Sequence, residues 1–156
     1  MKVVVIGIGN ILMRDDGFGV RVVEELRKMN LPATIYELGT LGIQILNYIE
    51  GYDLCIIVDV VKSGGKPGDL YVFDLDEVDF KTKNPVSLHD IGFIEALRFC
   101  GFNYKLPKIK FVGVEPEVIE FGIGLSKPVE NAIPKAIKVV KQIVEEAMMN
   151  TPAPEK

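Results

Sequence analysis

The sequence predicts an α/β protein, a three-layer α/β/α sandwich around a twisted, mostly parallel sheet of five strands, one of which is antiparallel or at an edge. Near-continuous apolar runs at 2–8 and 52–61 are typical of strands that are buried on both faces. Amphipathic stretches with a helical period occur between them, at 17–29 and 41–51. Strands alternating with helices in this way indicate parallel strands joined by right-handed crossovers.

The first half of the chain is predicted to form a βαβαβ unit. Its strands are "KVVVIGI" (2–8), "ATIYEL" (33–38) and "YDLCIIVDVV" (52–61), and its helices cover 17–29 and 41–51. The first helix has a polar face and an apolar inner stripe, as expected for a helix packed on a sheet. That stripe consists of Val20, Val23, Leu26 and Met29.

The second half is predicted to complete the sheet and cover it. "DLYVFDL" (69–75) alternates between apolar and polar residues, which favours an antiparallel or edge strand. Ser87 suits the N-cap of a helix over 88–100, with Asp90 three residues on as its capping-box partner. A fifth strand lies within 107–116, and a long final helix covers 127–149.

Length and composition indicate one soluble domain over 1–149 with a frayed tail at 150–156. Of the 156 residues, 48% are hydrophobic and 26% charged, and the net charge is −4, which disfavours nucleic acid and anionic membranes as partners. The chain shows neither a signal-peptide pattern nor an apolar run of about 20 residues. We therefore expect a cytoplasmic protein whose two cysteines, Cys55 and Cys100, are reduced.

Three chemically capable side chains follow strands of the predicted sheet. Asp16 follows the first strand, Asp59 sits at the end of the third inside an apolar run, and His89 opens the helix after the fourth. In an open parallel sheet, ligands bind in the crevice beyond the carboxyl ends of the strands. Two carboxylates and one imidazole suit a borderline divalent cation such as Zn²⁺, Fe²⁺ or Ni²⁺ and leave coordination positions open. Asp15 is expected to cap the first helix or to stay in solvent.

Each of these residues also has a purely structural interpretation. Aspartate is a good N-cap and turn residue, a strand-end carboxylate can accept loop N–H bonds, and a single histidine is often a surface residue. Two acids after the fifth strand, Glu115 and Glu117, could add ligands but are expected to be solvated.

A glycine-rich stretch after the second strand, "LGTLG" (38–42), could line the same crevice. Gly39 and Gly42 permit close backbone approach, and Thr40 offers a hydroxyl group. These three residues are predicted to contact substrate, the structural alternative being a routine strand-to-helix turn.

Five sequence blocks occur along the chain in this order: "GIGNILMRDDGFGV" (7–20), "GTLG" (39–42), "IIVDVV" (56–61), "SLHD" (87–90) and "VGVEPE…GIGLSKPV" (112–129). In these blocks the sequence resembles the hydrogenase maturation endopeptidases, which remove a C-terminal peptide from the large-subunit precursor of nickel–iron hydrogenases. The match runs from about Met1 to Val144.

This resemblance implies roles for individual residues. Asp16, Asp59 and His89 correspond to the family's metal-contacting and catalytic residues. The metal is nickel already inserted into the precursor, which makes it a recognition signal, and other divalent cations could occupy the same site. The resemblance further implies a cytoplasmic monomer. Either the metal activates a water or polarises the peptide carbonyl, or it only anchors the substrate while an aspartate acts as general base.

Two other functions stay open from the sequence alone. A non-enzymatic nickel-binding maturation factor would share the ligands without cleaving a peptide. A small-molecule-binding α/β domain, for a nucleotide or flavin, is suggested by Gly7 and Gly9 in the first turn. The acidic loop and the missing third glycine of the G-x-G-x-x-G pattern argue against that second alternative.

Overall fold

A computed structural model describes residues 1–40, 43–75, 86–87 and 106–150 of the chain. Within them the strands are β1 (Val3–Ile8), β2 (Thr34–Gly39), β3 (Leu54–Lys62), β4 (Leu70–Asp74), β5 (Val86–Ser87) and β6 (Lys108–Val114). The α-helices are α1 (Phe18–Arg27), α2 (Leu46–Ile49) and α3 (Lys127–Met149), and single 3₁₀ turns cover Arg14–Gly17 and Ile43–Ile45.

The strand order of the main sheet is β2-β1-β3-β6-β4. The first four of these are mutually parallel, and β4 runs antiparallel to β6 at the edge. This arrangement confirms the predicted five-stranded, mostly parallel sheet with one antiparallel edge strand. The short strand β5 was not predicted, and it pairs antiparallel with the last two residues of β3.

Strand alternation divides the core into two layers. Val3 and Val5 of β1 pack with α1 and α3 on one face, whereas Val4, Ile6 and Ile8 pack on the other face with the α2 region. All six residues of β1 are buried, and each buried aliphatic side chain contributes about 1.5–3 kcal/mol of transfer free energy. Helices therefore lie on both faces of the sheet, as the three-layer prediction requires.

The predicted helices at 17–29 and 127–149 are present, and Pro134 lies inside the second of them. The helix predicted at 41–51 was too long: its described part is the 3₁₀ turn Ile43–Ile45 followed by the four residues of α2. Met29 was assigned to the inner stripe of α1, but that was wrong: it lies past the end of the helix and is 38% exposed. The predicted helix at 88–100 and residues 151–156 of the tail lie outside the described residues. Within the described ranges no helix combines the length and apolarity needed to cross a bilayer.

The packing of α1 against the sheet depends on two glycines. A Cβ atom at Gly19 would collide with the carbonyl oxygens of Val58 and Ile8, and one at Gly7 would collide with the carbonyl oxygen of Gly19. The first turn of α1 therefore rests directly on the backbone of β1 and β3. Gly7, one of the two glycines that resemble a nucleotide-binding fingerprint, thus serves helix–strand packing.

The chain connections create a crevice between β1 and β3. From β1 the chain passes through α1 to β2 on one side, and from β2 it passes through α2 to β3 on the other side of β1. Because these two connections cover opposite faces, the carboxyl ends of β1 and β3 flank the point where the strand order reverses. That point is where open α/β sheets bind ligands.

Replacing Gly19 with alanine tests the close packing of α1. Overpacking against fixed backbone should lower the free energy of unfolding by about 1–3 kcal/mol, whereas helix propensity alone predicts a gain of about 1 kcal/mol. Urea unfolding should be compared with that of Arg21→Ala, a change at an exposed position of the same helix. A Gly19→Ala protein as stable as the wild type would contradict the packing explanation.

Candidate active site

Asp16 lies in the 3₁₀ turn that connects the loop after β1 to α1. It is only 7% exposed, and its Oδ2 accepts a hydrogen bond of 3.0 Å from the backbone N–H of Asn10. The turn contacts β3. Arg14 begins the turn with a φ of 51°, a left-handed conformation that only a specific local environment maintains in a non-glycine residue. The carboxylate thus closes its own loop above the β1–β3 crevice.

Asp59 lies within β3, at the position where pairing with β1 has just ended. The last paired residues of the two strands are Gly7 and Val58, and on its other side Asp59 pairs with Gly113 of β6. Asp59 is 2% exposed, and its Oδ1 accepts a hydrogen bond of 2.7 Å from the N–H of Val60. It was predicted at the strand end, but β3 continues to Lys62. The end of the β1–β3 pairing, and not the end of β3, therefore marks the crevice at this carboxylate.

The structure therefore carries two members of the predicted triad to the same region of the sheet. Asp16 stands on the loop after β1, and Asp59 on β3 directly beyond the last β1 pair. The third member, His89, lies outside the described residues. Within the described ranges, no group of three His, Cys, Asp or Glu residues is arranged to hold a metal ion.

The loop after β2 joins the same edge of the sheet. The carbonyl oxygen of Gly39 accepts a hydrogen bond of 2.8 Å from the N–H of Gly9, which ties this loop to the one after β1. Gly39 has a φ of 60° with no atom within 4 Å of a Cβ built on it, and Thr40 is exposed. Gly39 thus lies beside the loop after β1, Thr40 follows it along the chain, and Gly42 lies outside the described residues.

Asp15 has a different role from the one expected of it. It is completely buried and caps neither the 3₁₀ turn nor α1. Its carboxylate accepts hydrogen bonds of 2.7–2.9 Å from the N–H groups of Glu117, Val118 and Ser126 and from the hydroxyl of Ser126. Asp15 therefore fastens the loop after β1 to the loop after β6 and to the start of α3.

Glu115 is a second carboxylate used for structure. Its Oε1 accepts hydrogen bonds from the N–H groups of Ser63 and Gly65, both at 2.9 Å, and from the Tyr71 hydroxyl at 2.7 Å. Burial, followed by the bond to Glu115, raises the pKa of Tyr71 to about 12. The expectation that Glu115 is solvated was wrong, because the loop after β3, which carries Ser63 and Gly65, folds over its carboxylate. Glu117 is exposed, as predicted.

The charges around α1 argue against a phosphate ligand. Both acids of the turn before the helix, Asp15 and Asp16, are buried beside its amino end. A helix amino terminus attracts anions through its free N–H groups and its dipole. With two carboxylates already in that turn, a phosphate would meet repulsion.

Cys55 is a core residue. It is completely buried in β3, and burial raises the pKa of its thiol, so the thiolate is disfavoured. Cys100 lies outside the described residues.

Replacing Asp15 with asparagine should lower the free energy of unfolding by about 2–3 kcal/mol. The amide nitrogen cannot accept a hydrogen bond, so at least one buried donor loses its partner. Amide hydrogen exchange at Glu117, Val118 and Ser126 should accelerate, since these N–H groups depend on the carboxylate. Glu117→Gln, an exposed neighbour, is the control and should change stability by less than about 0.5 kcal/mol. Unchanged exchange in Asp15→Asn would contradict the role assigned to Asp15.

Comparison with known proteins agrees with this geometry. The sequence profile of the hydrogenase maturation protease family HycI matches residues 20–143. The hydrogenase 2 maturation protease of Escherichia coli (strain K12) is 34% identical over 152 residues, 94% of this chain and 93% of that protein. The hydrogenase expression/formation protein HupD of Rhizobium leguminosarum bv. viciae is 34% identical over 149 residues, 92% of this chain and 74% of that protein.

Solved structures give the same result. The hydrogenase maturating endopeptidase HybD from E. coli matches with a TM-score of 0.80 at 32% identity, covering 94% of each chain. The NiFe hydrogenase maturation protease HybD from Thermococcus kodakarensis matches with a TM-score of 0.80 at 27% identity, covering 92% of this chain and 99% of that one. The chain therefore belongs to the hydrogenase maturation protease family.

Proposed function

We propose that this peptidase removes the C-terminal propeptide from the nickel-loaded large-subunit precursor of a nickel–iron hydrogenase, and that it works as a cytoplasmic monomer. The nickel in the precursor is the recognition element, and Asp16, Asp59 and His89 contact it. The observation that carries the proposal is the pair of buried carboxylates at the β1–β3 crevice of a maturation protease fold. A buried carboxylate is costly to desolvate, and a cation brought by the substrate would offset that cost.

The pairing of β5 with β3 supports including His89. Ser87 lies opposite Val61, and the two strands are antiparallel. Val61 lies two residues beyond Asp59 on β3. Covalent geometry keeps His89 near this part of β3, since only two Cα–Cα steps of about 3.8 Å separate it from Ser87. An imidazole there would complete a mixed oxygen and nitrogen donor set, which suits divalent nickel.

Each carboxylate has a distinct task in the proposed cleavage. Asp59 sits on a central strand with neighbours on both sides, so it is a rigid contact for the nickel centre of the substrate. Asp16 stands on the loop at the mouth of the crevice, and it is the residue we assign to take a proton from the attacking water. The substrate nickel would hold the scissile peptide beside that water and could polarise its carbonyl group.

The small number of protein ligands makes recognition depend on the substrate. Three side chains in an open crevice bind a free divalent ion less tightly than a closed four-ligand site. Thiolates of the precursor that already hold the nickel would supply the missing ligands. Cleavage would then follow nickel insertion, because the precursor without nickel lacks the group that the crevice recognises.

The two competing functions have less support. A metal-binding factor without catalysis does not account for a family of peptidases that matches most of the chain. A nucleotide-binding domain would need its glycines at the ligand, but Gly7 packs against the carbonyl oxygen of Gly19 in α1, and Gly9 packs against that of Asp16.

Substitution of the proposed triad should separate activity from stability. Asp16→Asn should reduce cleavage of the precursor by about 10²–10⁴-fold, the range expected for loss of a general base. His89→Ala should also reduce cleavage strongly, because it removes a proposed contact to the substrate nickel. An asparagine at position 16 retains an oxygen for the Asn10 N–H, so the fold should persist. Asp59→Asn should lose activity and unfold at the same or a higher urea concentration, because it removes a buried charge.

Mass spectrometry of the precursor measures cleavage, and circular dichroism measures stability. Glu117→Gln, an exposed acid on the loop after β6, is the matched control and should process the precursor normally. Full activity in Asp16→Asn would remove that residue from the proposed site.

Dependence on nickel should reside in the substrate and not in the enzyme. Enzyme stripped with a chelator should cleave nickel-loaded precursor at the normal rate and leave nickel-free precursor intact, because the crevice itself holds free nickel weakly. The mass of the precursor before and after incubation gives the answer. Equal cleavage of the two precursors would refute recognition through nickel and would leave the acids as ordinary acid–base catalysts.

A further inference from the structure

Four large apolar side chains lie exposed on the two loops next to the crevice. Ile11 and Leu12, on the loop after β1, are 49% and 46% exposed. Phe121 and Ile123, on the loop after β6, are 84% and 79% exposed. We call these four residues the apolar rim. Single exposed apolar residues are normal on a protein surface, but a group of them on adjoining loops marks an interaction site.

Backbone hydrogen bonds join the two loops of the rim. Met13 and Gly122 form a parallel bridge, in which the Gly122 N–H donates to Leu12 at 2.8 Å and the Arg14 N–H donates to Gly122 at 3.0 Å. The Arg14 side chain donates to the carbonyl oxygen of Gly124 at 2.8 Å. In this bridge Leu12 of one loop lies level with Phe121 of the other, so the apolar residues of the rim stand on two joined loops.

Beneath the rim, the Asp15 carboxylate fastens the same two loops. The rim is therefore ordered before any partner arrives. Binding to it avoids most of the entropic cost of ordering a flexible loop.

A run of hydrogen bonds links the rim to the proposed catalytic base. The Asp16 carboxylate accepts from the Asn10 N–H at 3.0 Å, and the Asn10 side chain accepts from the Leu12 N–H at 2.9 Å. Leu12 in turn accepts from Gly122. The rim is thus continuous, through these hydrogen bonds, with the Asp16 turn at the crevice.

We propose that the apolar rim is a docking surface for the precursor polypeptide, which binds it through an apolar segment adjoining the scissile bond. The proposal rests on the proposed function for the identity of the substrate. Two buried carboxylates and a nickel contact offer little contact area to a protein. An ordered apolar surface continuous with the crevice supplies it, and interface energies concentrate in such exposed aromatic and aliphatic anchors.

The test is the double substitution Phe121→Ser with Ile123→Ser. We expect KM for the nickel-loaded precursor, and its Kd measured by interferometry, to rise about tenfold or more. The kcat should change by less than about twofold, since the acids of the crevice are untouched. Phe121→Leu, which keeps an apolar side chain, should retain nearly wild-type KM.

Met149→Ser is the matched control. Met149 is 83% exposed, close to the value for Phe121, but it ends a helix of 23 residues that leads away from the rim for about 34 Å. This variant should bind and cleave as the wild type does. If the double variant fails to fold, Ile11→Ser on the other loop carries the same expectation.

The outcomes separate this proposal from the proposed function. The wild type and the double variant are each tested on nickel-loaded and on nickel-free precursor. Unchanged KM and Kd in the rim variants overturn the docking surface, even if cleavage still requires nickel. If the wild type cleaves both precursors equally and the double variant has a raised KM, nickel recognition is overturned and the docking surface stays in place. A wild-type dimer in analytical ultracentrifugation that the double substitution converts to a monomer assigns the rim to self-association and overturns the proposal.

Discussion

The buried carboxylate of Asp15 holds together the loop after β1 and the loop after β6, which border the proposed site. It accepts hydrogen bonds from three backbone N–H groups and one hydroxyl group, all in the segment between β6 and α3. Hydrogen bonds to a charged acceptor are stronger than neutral ones, and each orphaned donor would carry a desolvation cost. This interaction determines where α3 begins, how the loop after β1 lies and how the apolar rim is presented.

Adjacent acids have opposite roles here because neighbouring residues in a tight turn face different directions. Asp15 faces inward to the loop after β6, whereas Asp16 closes its own loop at the mouth of the crevice. Glu115 has the same structural role as Asp15 at the loop after β3, because its carboxylate accepts hydrogen bonds from Ser63, Gly65 and Tyr71. Carboxylates therefore perform two tasks at this edge of the sheet: they fold its loops, and they form the proposed site.

The position of the proposed site follows from two backbone features. Gly7 and Gly19 let α1 rest on β1 and β3, which brings the Asp16 turn against β3. The pairing of β1 with β3 ends at Gly7 and Val58, one residue before Asp59, which leaves that carboxylate where the two strands stop pairing. The point at which this pairing ends thus matters as much as the acid itself.

From the sequence alone, apolar periodicity determined the strands, the α3 bounds and the antiparallel edge strand, because these depend on local patterns of burial. The same pattern singled out Asp16 and Asp59, since a carboxylate within an apolar strand, or in the loop that follows one, is costly to bury without a role. The role of Asp15, the burial of Glu115, the two-residue strand β5 and the apolar rim were decided only by the tertiary structure. Each depends on contacts between residues far apart in the chain, such as the 111 positions between Asp15 and Ser126, and no local pattern encodes such a contact.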